Sequence, residues 1–194
     1  MYLRRLCVFC SSSNRLPESF REEARELGER MAREGIDLVY GGGSVGLMGV
    51  LADAVLAGGG KVTGVIPRFL CTKELAHEGL TKMIVTRSMH ERKKEMSRLA
   101  DAFAILPGGF GTLDEFFEIL TWKQLGLHSR PIVVANTGGW FDPVMEYCRR
   151  AAALGAVSKG NLDLFAAVDR AVDVVDALVR LRRGPEAPKG IPRA

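Results

Sequence analysis

The most informative stretch of this 194-residue chain reads AFAILPGGFGTLDE and runs from Ala102 to Glu115. Its apolar first part, Ala102–Leu106, predicts a buried strand, and the amphipathic segment Leu113–Leu125 predicts a helix. The glycines between them predict a tight turn that leaves backbone N–H groups unpaired beside the positive end of a helix dipole. This arrangement is one that binds phosphate. A carboxylate at Glu115 would lie within side-chain reach of whatever the phosphate carries.

Strand-like and helix-like segments alternate along the rest of the chain. The other predicted strands are Leu3–Phe9, Ile36–Tyr40, Val62–Ile66, Met83–Thr86, Ile132–Ala135 and Leu164–Val168. The other predicted helices are Pro17–Arg33, Val45–Leu56, Met89–Leu99, Phe141–Leu154 and Ala171–Leu181. Apolar strands joined by helix-length connections predict an α/β fold, a Rossmann-like doubly wound parallel sheet in a single domain. In such folds, ligands bind beyond the carboxyl ends of the strands.

The composition is that of a soluble globular protein, with 47% hydrophobic and 26% charged residues and a net charge of +4. We expect one catalytic domain over residues 1–183 and a disordered tail over residues 184–194, which are rich in Pro, Gly, Lys and Arg. There is no basic stripe with interleaved aromatic residues, so no nucleic-acid partner is expected. No apolar run approaches the roughly 20 residues that span a bilayer, and no signal peptide is recognised, so we expect a cytoplasmic protein without a membrane partner.

Four cysteines in a chain without an export signal are expected to be reduced thiols. Cys7 and Cys10 have the C-x-x-C spacing of redox and zinc sites. However, Cys7 lies in an apolar strand and no second pair accompanies it, so ordinary buried cysteines are the favoured interpretation.

A second glycine-rich turn, GGGSVGLMG from Gly41 to Gly49, follows the strand that ends at Tyr40. It is compatible with phosphate binding or simply with a tight strand–helix turn. The turn matches the G-x-G-x-x-G pattern of dinucleotide-binding proteins, but it follows the second predicted strand rather than the first. The strand after it does not end in the acidic residue that would bind a ribose, so dinucleotide binding is disfavoured. Neither turn is followed by the Gly-Lys-Ser/Thr of a P-loop.

Glu115 and Arg92 are the candidate chemical groups, and each has a structural alternative. Thr112 and Glu115 have the spacing of a capping box, so Glu115 is either a helix cap or a catalytic acid. Arg92 falls on the inward stripe that Met89 and Met96 form on one predicted helix. A buried charge needs a partner, which for Arg92 is either a ligand phosphate or the carboxylate of a structural ion pair.

With these residues in view, the chain resembles the LONELY GUY (LOG) family of cytokinin riboside 5′-monophosphate phosphoribohydrolases, long mislabelled as lysine decarboxylases. The family pattern PGGxGTxxE matches Pro107–Glu115, the glycine-rich motif that ends in GLMG matches Gly41–Gly49, and MHERK matches Met89–Lys93. The segment Thr121–His128 is similar to the family as well. One departure is Ser11, where the family's first-strand turn CGSS has glycine.

The resemblance implies Arg92 and Glu115 as the catalytic pair. It also implies substrate-binding positions at Ser12, Gly43, Gly46, Met89, Lys93, Gly108, Gly109, Gly111 and Thr112. The implied reaction cleaves the N-glycosidic bond of N6-modified adenosine 5′-monophosphates (derivatives of AMP) to a free base and ribose 5-phosphate, without a metal or organic cofactor. The implied partner is a second copy of the chain, and the apolar segment Phe116–Trp122 is either that interface or monomer core.

Other functions compatible with the same sequence are a general purine or pyrimidine nucleoside monophosphate nucleosidase and a non-enzymatic carrier of nucleotide or molybdenum cofactor. A lysine decarboxylase is disfavoured, because no lysine stands out as the Schiff-base residue of a pyridoxal enzyme.

Overall fold

The computed structural model describes residues 3–72 and 75–183. Within them, seven parallel strands form one continuous sheet. The strands are β1 (Arg5–Phe9), β2 (Asp37–Tyr40), β3 (Val62–Pro67), β4 (Lys82–Thr86), β5 (Ala102–Ile105), β6 (Ile132–Ala135) and β7 (Ala166–Val168). The helices are α1 (Glu18–Arg33), α2 (Gly46–Ala57), α3 (Met89–Leu99), α4 (Phe110–Gln124), α5 (Asp142–Ala153) and α6 (Val174–Arg183). The predicted tail over residues 184–194 lies outside the described residues.

The spatial order of the strands is β4-β3-β2-β1-β5-β6-β7. Successive strands therefore step outward from β1 to β4, and the chain then returns to the other side of β1 with β5. The order reverses between β1 and β5, which is the topological switch point of a doubly wound sheet. The predicted Rossmann-like fold is confirmed, and a crevice is expected at the carboxyl ends of the strands at this point.

Successive residues of a strand pack alternately into two separate hydrophobic cores, one on each face of the sheet. Along β1, Leu6 and Val8 pack with residues of α1, α2 and α6, whereas Cys7 and Phe9 pack with residues of α3 and α4. A sheet that is covered on both faces requires strands that are apolar at every position. This requirement explains why the strands read as continuous apolar runs rather than as alternating patterns.

Helix α4 begins at Phe110, three residues before its predicted start at Leu113. Gly109 precedes the first helical residue in an extended conformation, and no side chain caps the helix. Thr112 and Glu115 therefore both lie inside the helix, and the capping-box interpretation of this pair is wrong. A glycine in the N-cap position allows the helix to start on the turn itself and leaves its first amides uncapped by side chains.

Candidate active site

A cavity of about 540 Å³ lies at the carboxyl ends of the strands, beside the switch point between β1 and β5. Most of the sequence-predicted site residues line it: Ser12, Gly43, Met89, Arg92, Gly109, Gly111, Thr112 and Glu115. Gly46, Lys93 and Gly108 lie outside its lining. The fold thus brings both glycine turns and the Arg92–Glu115 pair to one crevice.

The first turn of α4 presents backbone N–H groups to this cavity. The first intrahelical bond is donated by the Leu113 amide to the Gly109 carbonyl at 3.1 Å, so the amides of Phe110, Gly111 and Thr112 precede the hydrogen-bonded ladder. A Cβ built on Gly109 or Gly111 meets no atom within 4 Å. These two glycines therefore keep side chains away from the uncapped amides, which suits the approach of an anion.

The N-terminus of α2 is different, because protein atoms already accept hydrogen bonds from two of its N–H groups. The Gly46 amide donates to Asn14 Oδ1 at 2.9 Å, and the Met48 amide donates to the Ser11 carbonyl at 3.3 Å. Gly46 has φ +68°, and a Cβ there would approach the backbone of Ser11–Ser13 to 2.6–2.7 Å. A glycine is thus required at position 46 because the turn after β1 packs closely against it. Its amide is not available to a ligand, since it already donates a hydrogen bond to Asn14.

Ser11, the departure from the family pattern, fits the turn after β1 without strain. Among the described residues, no residue other than glycine has a positive φ. The Ser11 hydroxyl accepts a bond from the Ser13 amide at 3.0 Å, and its own amide donates to the Pro107 carbonyl at 3.0 Å. The side chain therefore braces the turn that carries Ser12, and the main chain ties this turn to the loop before α4.

Arg92 is buried at 8% exposure on the inward face of α3. Its Nε donates to the Val65 carbonyl at 3.0 Å and its Nη2 to the Gly41 carbonyl at 3.3 Å. Nη2 also lies 3.6 Å from Glu115 Oε1. Any side chain on Gly41 would collide with this guanidinium, so the glycine is needed for the close approach. Sequence reasoning predicted the inward cation, and the structure adds the two carbonyls that orient it.

Glu115 is also buried at 8% exposure, on the side of α4 that faces the cavity. Burial raises the pKa of this carboxyl to about 7, against a smaller opposing influence of the Arg92 charge. Desolvation penalises the ionised form, and a cation 3.6 Å away offsets that penalty only in part. A carboxyl that titrates close to neutral pH beside a cavity has the properties of a general acid or base.

Lys93 follows Arg92 in sequence but points elsewhere. Its Nζ lies 3.0 Å from Asp114 Oδ2 and 3.1 Å from Glu118 Oε1, both on α4. This ion-pair cluster ties α3 to α4 immediately beside the Arg92–Glu115 contact. Gly108, the other residue outside the cavity near this helix, accepts a bond from the Trp140 indole Nε1 at 3.2 Å.

Sequence reasoning missed the apolar wall of the cavity, which is formed by Val45, Met48, Ile66, Leu70, Leu75 and Phe110. Phe110 is 93% exposed and Leu75 is 42% exposed, which is unusual for large apolar side chains. Phe110 occupies the variable position x of the PGGxGT motif, so the motif locates this residue in the turn but does not identify it as part of the cavity wall. Leu70 and Leu75 come from the connection between β3 and β4, which has no periodic pattern that could have identified them.

The thiols of Cys7 and Cys10 are buried, and burial raises the pKa of both above its ordinary value. A buried, protonated thiol is a poor nucleophile, in keeping with the ordinary-cysteine interpretation. Residues 3–72 and 75–183 contain no cluster of three His, Cys, Asp or Glu side chains arranged to hold a metal ion. Among the same residues, no helix combines the length and the apolar character needed to cross a bilayer.

The profile of the family described as "Possible lysine decarboxylase" matches residues 48–178. A "Probable cytokinin riboside 5'-monophosphate phosphoribohydrolase" of Oryza sativa subsp. japonica is 45% identical over 175 residues, which cover 90% of this chain and 77% of the relative. A cytokinin riboside 5′-monophosphate phosphoribohydrolase of Arabidopsis thaliana is 44% identical over 155 residues, which cover 80% of this chain and 73% of the relative.

Among solved structures, a molybdenum cofactor carrier protein from Chlamydomonas reinhardtii superposes with a TM-score of 0.71 at 21% identity, over 94% of this chain and 99% of the carrier. At this identity the likeness concerns the fold alone. Fold and cavity together define a Rossmann-like α/β protein whose switch-point crevice holds a glycine turn and a buried Arg–Glu pair. Within that class, the chain belongs to the LOG family of cytokinin riboside 5′-monophosphate phosphoribohydrolases.

Proposed function

We propose that the protein hydrolyses the N-glycosidic bond of N6-modified adenosine 5′-monophosphates and releases the free base and ribose 5-phosphate. The observation that carries the proposal is the meeting, in one cavity, of the uncapped N-terminus of α4 with the buried pair Arg92 and Glu115. The relatives named above support the same reaction class. The phosphate would bind the first-turn amides of α4, and the ribose would lie over Glu115.

In the proposed reaction, the bond between the ribose C1′ and the base nitrogen breaks, and a water oxygen bonds to C1′. The transition state has oxocarbenium character, so an ionised Glu115 stabilises the positive charge and accepts the proton of the attacking water. The departing base takes up a proton from solvent on its nitrogen, and Glu115 afterwards returns the proton of the water to solvent. Arg92 orients Glu115 and contacts the nucleotide. Phosphate binding at α4 supplies binding energy away from the scissile bond and fixes the ribose in place.

The apolar wall supports the choice of an N6-alkyl substrate over unmodified AMP. Met48, Ile66, Leu70 and Leu75 give the cavity a hydrophobic side that a bare amino group would not fill. Burial of a short alkyl chain contributes about 1–3 kcal/mol to discrimination. The proposal therefore expects AMP to bind and to be cleaved less efficiently.

A homodimer and a cytoplasmic location are part of the proposal. Phe116 and Ile119 of α4 are buried in the monomer core, and Phe117 and Leu120 on the same helix pack against that core while remaining partly exposed. We assign the exposed part of Phe117 and Leu120 to the contact with a second copy. All four cysteines are free, which suits a reducing compartment. Light scattering of the purified protein tests the dimer.

The test of the reaction is to incubate purified protein with N6-isopentenyl-AMP and, separately, with AMP, and to resolve the products by chromatography. The proposal expects free N6-isopentenyladenine and ribose 5-phosphate in equal amounts, with slower release of adenine from AMP. Equal rates on both substrates would favour a general nucleosidase. Binding with unchanged ligand would favour a carrier.

A further inference from the structure

A short segment from Leu75 to Gly79, here called the wall segment, closes one side of the cavity. The Ser44 amide donates to the Leu75 carbonyl at 2.8 Å, and the His77 amide donates to the Gly42 carbonyl at 3.0 Å. Gly43 and Ala76 form an antiparallel bridge between these two bonds. Main-chain bonds thus attach the wall segment to the glycine turn after β2, and this attachment places Leu75 against the cavity.

A side-chain contact fixes the same segment to α2. His77 Nε2 lies 2.9 Å from Asp53 Oδ1, and the His77 side chain is only 11% exposed. The Gly79 amide donates to His77 Nδ1 at 3.1 Å. Because Nδ1 accepts this hydrogen bond, the ring proton lies on Nε2, and Nε2–H donates a hydrogen bond to the Asp53 carboxylate. The imidazole therefore joins the wall segment to α2 at one end and fixes its own turn at the other.

The hydrogen-bond partners of the His77 side chain are Asp53 and the Gly79 amide, so this contact involves neither Arg92 nor Glu115 nor the first-turn amides of α4. Neither His77 nor Asp53 lines the cavity. The wall segment is partly exposed and is attached by a few backbone hydrogen bonds. A flexible segment loses conformational entropy when a ligand orders it, so a further restraint that fixes the segment beforehand favours binding.

We propose that His77 is a positioning residue that, through Asp53, holds the wall segment in place for the apolar N6 substituent. The proposal rests on the proposed function for the identity of the ligand, but the attachment itself does not. His77 acts through Leu75 and the glycine turn rather than by touching the reacting atoms, so it governs substrate fit rather than the chemical step.

The test compares His77→Ala, His77→Gln and Asp53→Ala with the wild type in two measurements. The first is amide hydrogen exchange in the free protein. We expect faster exchange at the Ser44 and His77 amides in both alanine variants, with unchanged exchange in β1 and β5. Gln carries an N–H donor that can reach Asp53, so His77→Gln is expected to restore protection. Unchanged exchange in Asp53→Ala, whose exposed side chain can be removed without disturbing the core, would overturn the attachment.

The second measurement is steady-state kinetics with N6-isopentenyl-AMP and AMP. His77→Ala is expected to raise KM for the N6-alkyl substrate about five- to tenfold, to raise KM for AMP less, and to keep kcat within about twofold. The double variant His77→Ala/Asp53→Ala should match His77→Ala, because Asp53→Ala removes only a contact that His77→Ala has already removed. A fall in kcat with unchanged KM would overturn the positioning role. If the wild type cleaves neither substrate, the proposed function fails, and the exchange data still decide the attachment.

Discussion

Arg92 Nη2 lies 3.6 Å from Glu115 Oε1, while the same guanidinium donates to the Val65 and Gly41 carbonyls at 3.0 and 3.3 Å. The shorter contacts show that the main chain of β3 and of the glycine turn orients Arg92, and that Glu115 is not its principal partner. The Glu115 carboxyl therefore lines the cavity and remains close enough to Arg92 for the positive charge to lower its pKa. The pair is therefore an oriented cation beside a carboxyl group that lines the cavity.

Arg92→Lys is expected to lower kcat/KM by at least about 100-fold, because an ammonium group cannot reproduce the planar fork that contacts both carbonyls and Glu115. Steady-state kinetics with N6-isopentenyl-AMP provides the measurement. Arg98→Lys is the matched control, because Arg98 lies exposed on the same helix and, within the described part of the chain, forms its ion pair with Glu95. Retention of more than a tenth of the activity in Arg92→Lys would show that charge alone is sufficient.

The pH dependence follows from the pKa of Glu115, which burial raises to about 7. The proposed mechanism needs the ionised form, so kcat/KM is expected to rise with pH and to level off above pH 7. The Arg92 charge lowers this pKa, so Arg92→Met should move the inflection to higher pH as well as reduce the rate. A rate that is constant from pH 5.5 to 8.5 would exclude Glu115 as the titrating group.

The raised pKa of Glu115 also makes the free energy of unfolding depend on pH. Between pH 4.5 and 7 the native state binds the Glu115 proton more tightly than the unfolded chain does. The contribution of this group to stability is therefore complete below pH 4.5 and is lost as pH rises through about 7. Denaturant titrations of the wild type should show this loss, at most about 3 kcal/mol, and those of Glu115→Gln should lack it.

Lys93→Met should leave KM and kcat within about threefold of the wild type and lower the free energy of unfolding by about 1 kcal/mol. The reason is that Lys93 pairs with Asp114 and Glu118 of α4 and lies outside the cavity. The family resemblance assigns this lysine to substrate binding, so the experiment separates the two roles. A tenfold rise in KM with unchanged stability would support direct contact with substrate.

Trp140→Phe removes the indole N–H that donates to the Gly108 carbonyl but keeps a ring against Phe20, whose centroid is 5.5 Å away. A lost hydrogen bond of about 1 kcal/mol would loosen the turn before α4 and raise KM about fivefold, with little effect on kcat. Trp122→Phe on α4 serves as the control. Unchanged KM in Trp140→Phe would show that this turn holds its shape without the bond.

The fold and the main chemical pair could be predicted from the sequence because both produce patterns. Apolar strands of regular spacing predicted the sheet, and Arg92 interrupted an otherwise apolar helix face. The start of α4 could not be predicted, since Thr112 and Glu115 satisfy the spacing of a cap whether or not the helix begins there. Nor could the sequence show that the amide of Gly46 already donates a hydrogen bond to Asn14 in the turn after β1. The wall around Leu75 depends on tertiary contacts that leave no periodic signal.

We propose Glu115 as the catalytic carboxylate of an N-glycosidase, and the rate of base release from N6-isopentenyl-AMP by Glu115→Gln decides whether it is. The amide keeps the shape of the side chain but can neither accept the proton of water nor carry negative charge. Loss of a general base and its charge predicts a fall in kcat of about 10²–10⁴-fold with a folded protein. The neighbouring Asp114→Asn variant should retain activity. Wild-type turnover in Glu115→Gln would contradict the account.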